Sequence, residues 1–186
     1  MIVALAAVLA CWLPSGPVRG RITEGVQMSE RVQVAGRTLV LNGMGVRGVP
    51  PYDTPRYVAG LYLEEPSADA EAILCFDQPR HLILHFVDDV TADALTTEWT
   101  GALEAAASGR PRVGGGIDDF AAMIPDMEEN DSMVLSYAPR RGTNVIVDGR
   151  GKGTLPGATF ARALFSLWIG DRALDPKLRR ALLGLG

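Results

Sequence analysis

Hydrophobic and polar residues alternate with a period of two over several stretches of the chain. In "RVQVAGRTLVLNG" the alternation runs on both sides of Ala35-Gly36, which predicts a strand, a tight turn and a second strand. "VPPYDTP" follows as a stiff loop. "RYVAGLYLEE" then places Tyr57, Ala59, Leu61 and Leu63 on one face, with Arg56, Val58, Gly60 and Tyr62 on the other. "RHLILHFV" sets Leu82, Leu84 and Phe86 against His81, Ile83 and His85. "DSMVLSYAP" and "GTNVIVDG" read as paired strands joined near Pro139 to Gly142, and Asp148-Gly149 is a further hairpin signal.

The period changes to that of a helix after Thr91, which has the chemistry of an N-cap. Leu95, Trp99, Ala102, Leu103 and Ala106 share one helical face, so an amphipathic helix is expected to about Ser108. A glycine run, Gly114 to Gly116, precedes a short helical stretch around Asp118 to Met123. Phe160, Ala163, Leu164, Leu167 and Trp168 form an apolar stripe stopped by Gly170. Asp175 and Pro176 then supply an N-cap and a first-turn proline ahead of Leu178, Ala181, Leu182 and Leu185. Antiparallel strands with helices clustered late make this an α+β chain, since a parallel sheet needs a helix between successive strands.

The first residues break this pattern. "MIVALAAVLAC" is an uninterrupted apolar run, too short to span a bilayer but long enough for the core of an export signal. "VLAC" loosely matches a lipoprotein cleavage site, although no Lys or Arg precedes the run and Leu9 is large for its place. The expected division is therefore 1–20 export signal or lipoprotein leader, 21–30 linker and 31–186 folded domain. The implied location is the periplasm or cell envelope, with lipid attachment at Cys11 as one route and simple cleavage as the other. Membrane attachment is expected through the N-terminus only. Once the leader is removed Cys75 has no disulfide partner, and in "AILCF" it reads as a small packed hydrophobe.

Composition narrows the function. A hydrophobic content of 47% over 186 residues suits one globular domain, and the net charge of -4 without a basic stripe argues against nucleic acid. His81 and His85 share a strand face but lie roughly 13 Å apart, too far to chelate one ion, so no metal is expected, nor any cofactor. "GRGKGT" lacks phosphate-loop spacing and reads as a hairpin turn, and no serine sits in a nucleophile elbow. One residue stands apart. In "LNGMGVRG" a permanently charged arginine, Arg47, follows small and apolar residues; its planar fork suits a carboxylate or an oxyanion. The ordinary alternative is a solvated arginine on a turn.

"NGMGVRG" followed by "YVAGLYLEE", with "LHFVDDVTADALTTEWTGAL" and the C-terminal "GTLPGATFARALFSLWIGDRALDPKLRRALLG", resembles the chalcone isomerase superfamily in its bacterial chalcone isomerase-like branch. The likeness runs from about Val32 to Gly184. It implies an open-faced β-sandwich, a large antiparallel sheet flanked by helices. It also implies that Arg47 faces a ligand cleft, as the matching arginine orients an oxyanion in the plant isomerases and a carboxylate in fatty-acid-binding members. The plant threonine aligns with Tyr57, the helix-borne tyrosine and asparagine fall near Thr91 and Glu98, and a polar residue near the C-terminus falls at Leu167. Arg47, Tyr57, Thr91 and Glu98 are thus the candidate ligand-binding residues, while no catalytic residue is assigned.

Three readings remain open at this point. The first is a non-catalytic binding module of the cell envelope for a small amphipathic acid or lipid-like, fatty-acid-like ligand. The second is an isomerase or intramolecular lyase acting on an enone or flavonoid-like substrate. The third is a structural domain that kept the fold and filled the cleft, for which Tyr57, Trp99 or Trp168 would serve. On the first reading the partner of the Arg47 charge comes from the ligand, so removing Arg47 should leave the stability of the empty protein unchanged or higher.

Overall fold

The computed structural model describes residues 20–107 and 114–186. The leader and its Cys11 lie outside the described residues. Strands β1 (Gly20–Thr23) and β2 (Val26–Ser29) form a separate antiparallel hairpin. The stretch 21–30, expected as a linker, is therefore structured. Its Met28 is buried against the main sheet, together with the partly buried Val26. Two apolar residues in a polar segment carried too little periodicity to show a strand pair.

Seven further strands follow in chain order: β3 (Arg31–Val34), β4 (Arg37–Val49), β5 (Thr54–Leu63), β6 (Arg80–Phe86), β7 (Ser132–Ala138), β8 (Gly142–Val147) and β9 (Arg150–Leu155). Each pairs antiparallel with its sequence neighbour, giving one meander. The turns carry the expected chemistry. Ala35 and Gly36, and again Asp148 and Gly149, all have positive φ, which matches the right-handed twist of the strands they join. "GRGKGT" is only partly a turn, because Arg150 onward is the edge strand β9.

Helix α1 (Ala70–Cys75) lies between β5 and β6, α2 (Ala92–Ala107) and α3 (Gly114–Ala121) between β6 and β7, and α4 (Ala158–Ile169) and α5 (Pro176–Leu182) after β9. All of them pack on one face of the sheet. Tyr57, Ala59, Leu61, Leu63, Leu82, Leu84 and Phe86 meet Leu95, Trp99, Leu164 and Trp168 there. The opposite face carries a smaller cluster of Leu39, Leu41, Val58 and Tyr62 under the β1–β2 hairpin. This is the open-faced, helix-flanked antiparallel sheet that the alternation and the resemblance implied.

The short helix α1 also escaped the pattern. α1 spans six residues, below the length at which helical periodicity is readable. Its C-terminal carbonyls, on Ile73 and Leu74, accept hydrogen bonds from the buried Arg80, whose guanidinium lies over the rings of Tyr137 and Phe165. Cys75, at the end of α1, is exposed rather than packed; its Sγ lies 2.8 Å from Glu71 Oε1, and that contact raises the thiol pKa, so no reactive thiolate is favoured. His81 is hydrogen-bonded to Ser136 at 2.5 Å, and burial lowers its pKa to about 4.

The run around Arg47 owes its glycines to α5. A bulge between Leu41 and Gly43 reverses the alternation of β4, so that Met44 and Val46 join Leu39 and Leu41 on the hairpin side. Gly43 and Gly45 then turn toward α5. A Cβ on Gly43 would lie 2.1 Å from the Ala181 carbonyl oxygen, and one on Gly45 would lie 2.6 Å from Ala181 Cβ. The bulge residue Asn42 ties down the far end of α5, donating to the Leu182 carbonyl at 2.7 Å. The missing side chains let this chain's own helix approach the sheet. Gly45→Ala should therefore push α5 outward and lower stability by about 1–3 kcal/mol, read by urea unfolding. A change within about 0.5 kcal/mol would mean that α5 does not rest on β4.

Candidate functional site

Arg47 sits where β4, α2 and α5 converge. It pairs with Tyr57 across the β4–β5 ladder, and a second bulge directly after it ends the regular register. Its exposure is 8%, which removes the surface-turn reading. A guanidinium taken this far from water needs acceptors. One terminal nitrogen binds Glu98 Oε1, and the other donates to the Gly48 carbonyl at 2.6 Å and lies 3.6 Å from Asp175 Oδ2. The other oxygen of Glu98 accepts from Arg56 at 3.1 Å. Glu98 thus bridges two arginines.

Each partner is placed by an ordinary rule of local structure. Asp175 is the N-cap of α5, and its Oδ1 accepts from the amides of Lys177 and Leu178. Its second oxygen is left for Arg47. Glu98 precedes the fully buried Trp99 on α2, so the packing of the indole sets the carboxylate at the margin of the core. Burial opposes the charge on Arg47, yet the hydrogen bond and charge of Glu98, with smaller help from Tyr57 and Asp175, outweigh it and raise the pKa above the ordinary arginine value.

The expectation that a ligand alone supplies the counter-charge of Arg47 is corrected here. Two arginines, Arg47 and Arg56, already meet two carboxylates, Glu98 and Asp175. The sequence placed Arg56 on the strand face opposite Tyr57 and read Asp175 only as a cap. Neither local pattern carried the tertiary contact.

Tyr57 is fully buried beside this cluster and accepts a hydrogen bond from Trp168 Nε1 at 3.0 Å. Burial drives its phenol pKa far above the ordinary value, against the opposing effect of the Trp168 hydrogen bond, so Tyr57 stays neutral. Trp168 packs edge-on against Trp99 at 5.5 Å, and Trp99 stacks on Phe120 at 6.0 Å. Two buried donors in this region, Arg47 Nε and Trp99 Nε1, have no hydrogen-bond partner. Thr91 does not join them. It is exposed, and its hydroxyl accepts from the Ala94 amide at 3.3 Å, so its work is to cap α2. Leu167 is a buried core residue of α4. The structure thus brings Arg47, Tyr57 and Glu98 together and leaves Thr91 outside. Among the described residues, no group of three or more His, Cys, Asp or Glu side chains is placed to hold a metal ion.

Arg47→Ala should leave Asp175 without its cation and Glu98 with Arg56 alone. The expected loss is about 2–4 kcal/mol, under the range for fully buried pairs because Glu98 keeps part of its side chain in water. Chemical denaturation of the two proteins reads it directly. Unchanged or higher stability would mean that the arginine is not held by these carboxylates.

The chain resembles one solved structure in particular detail. A fatty-acid binding protein of Arabidopsis thaliana superposes with a TM-score of 0.74, covering 89% of this chain and 96% of that one at 13% identity, a likeness of fold. No curated protein sequence matches the chain. A profile of the chalcone isomerase-like family matches residues 20–184, and the chain belongs to that family.

Proposed function

We propose that this protein is a non-catalytic binding module for a small amphipathic acid, with Arg47 receiving the carboxylate. The observation that carries the reading is a buried arginine whose Nε has no hydrogen-bond partner, set against the apolar interior. A carboxylate offers the acceptor that this N–H lacks. The likeness to a fatty-acid binding protein supports the same ligand class. The ligand's apolar chain is proposed to lie along the face of α2 that carries Glu98, Ala102 and Ala106; the two alanines line a groove of about 310 Å3 with Ala163 and Leu167 of α4, together with the charged Glu71, Arg162, Asp171 and Arg172. No cofactor enters this reading.

Ring closure of an enone is disfavoured by the charges. It requires donors that stabilise a developing enolate. Here Glu98 would set a second negative charge against that enolate. A structural role has its own supporting observation, since Tyr57, Trp99 and Trp168 fill the inner face at 0%, 0% and 1% exposure.

Calorimetric titration of dodecanoate separates these readings. Wild type should bind, and Arg47→Ala should lose about 2–5 kcal/mol, or roughly thirtyfold to several thousandfold in affinity. Arg47→Lys should recover only part, since a point charge cannot reproduce the fork. Ala106→Trp should weaken dodecanoate by filling the groove. No binding by wild type returns the domain to a structural role, and turnover of an enone would make it an enzyme.

The location is proposed to be the periplasm or cell envelope, supported by the apolar run ending at Cys11. Intact mass of the protein from its own host should show a chain cut near Cys11 or beginning there with added acyl mass. A cytosolic chain retaining residues 1–10 would refute export.

A further inference from the structure

We infer that Glu98 is an internal stand-in for the ligand's carboxylate and sets how tightly, and which, acids are taken; the inference rests on the binding role proposed above. Its oxygens are divided between Arg47 and Arg56, one to each. That is the arrangement a fatty-acid headgroup would adopt between two guanidiniums. Among the described residues the site is neutral as it stands, with two cations against two carboxylates, so an incoming anion gains little until a negative charge leaves.

Of the two acids, Glu98 is the one able to leave. Asp175 is 8% exposed and fixed by two backbone amides of α5, whereas 21% of the Glu98 side chain already meets solvent. Only rotation about its own side-chain bonds is needed to carry the carboxylate outward, while Trp99 keeps α2 in place. The departing carboxylate would then leave its place between the arginines to the ligand, beside the unpartnered Nε of Arg47. Glu98 thereby acts as a threshold: an acid must bring enough apolar chain to outweigh the bridge it breaks. Short acids are excluded by this competition rather than by size.

The test removes the stand-in and offers a replacement. In Glu98→Ala, acetate should restore thermal stability more than chloride at the same ionic strength, while wild type responds to neither. Dodecanoate should bind this variant about tenfold or more tightly than wild type, because no internal carboxylate competes. Glu98→Gln keeps the side chain's shape and removes its charge, and it serves the same comparison where the alanine variant does not fold. Acetate acting no better than chloride, or dodecanoate bound equally by wild type and variant, overturns the inference; the second result leaves the ligand class standing. Rescue by acetate with no uptake of dodecanoate by any form supports the stand-in role and overturns the fatty-acid-like ligand.

Discussion

One buried positive charge organises this molecule. The Arg47 guanidinium lies two residues before the end of β4, in an otherwise apolar layer, and water cannot satisfy it there. Its partners come from three directions: the following peptide, the N-cap of α5 and the second turn of α2. Satisfying the charge therefore fixes where two helices sit on the sheet. Gly43 and Gly45 make the same demand, since α5 can reach Arg47 only by lying directly on bare backbone. Asn42 holds the other end of that helix through the Leu182 carbonyl. One strand thus grips both ends of one helix.

The same cluster decides what the site can do. An arginine with no carboxylate beside it would be an open anion receptor, and one surrounded by neutral donors could steady an enolate. Arg47 is neither. Its charge is shared with Arg56 and balanced by Glu98 and Asp175. These charges support the proposed exchange of one carboxylate for another over bond making. The aromatic layer behind it, Tyr57, Trp168, Trp99 and Phe120, presents apolar faces with few free polar groups.

Much of the architecture was legible because alternation survives wherever a strand has one face against helices. Tyr57 to Leu63 and Leu82 to Phe86 face the helices as their spacing implied, and Asp175-Pro176 starts α5 as its chemistry implied. The hairpin of β1 and β2 and the six-residue α1 were not legible, being short or largely polar, and β9 was signalled only by the Asp148-Gly149 turn ahead of it. At the site, "GMGVRG" marked Arg47 as unusual but did not show what its glycines make room for. The partner was α5, more than 120 residues away, and no local pattern encodes which carboxylate a buried arginine will meet. Thr91 illustrates the converse: its capping signal was correct and sufficient, so the further role given by alignment had nothing left to explain.

The interaction on which all of this depends is the coupling between Arg47 and Glu98. A double-mutant cycle of Arg47→Ala, Glu98→Ala and the pair, followed by chemical denaturation, isolates it from the loss of each side chain's own packing. A stabilising coupling of about 2 kcal/mol or more is predicted, since the pair is largely withdrawn from water and held by a direct hydrogen bond. A coupling below about 0.5 kcal/mol, the value of independent surface sites, would contradict it.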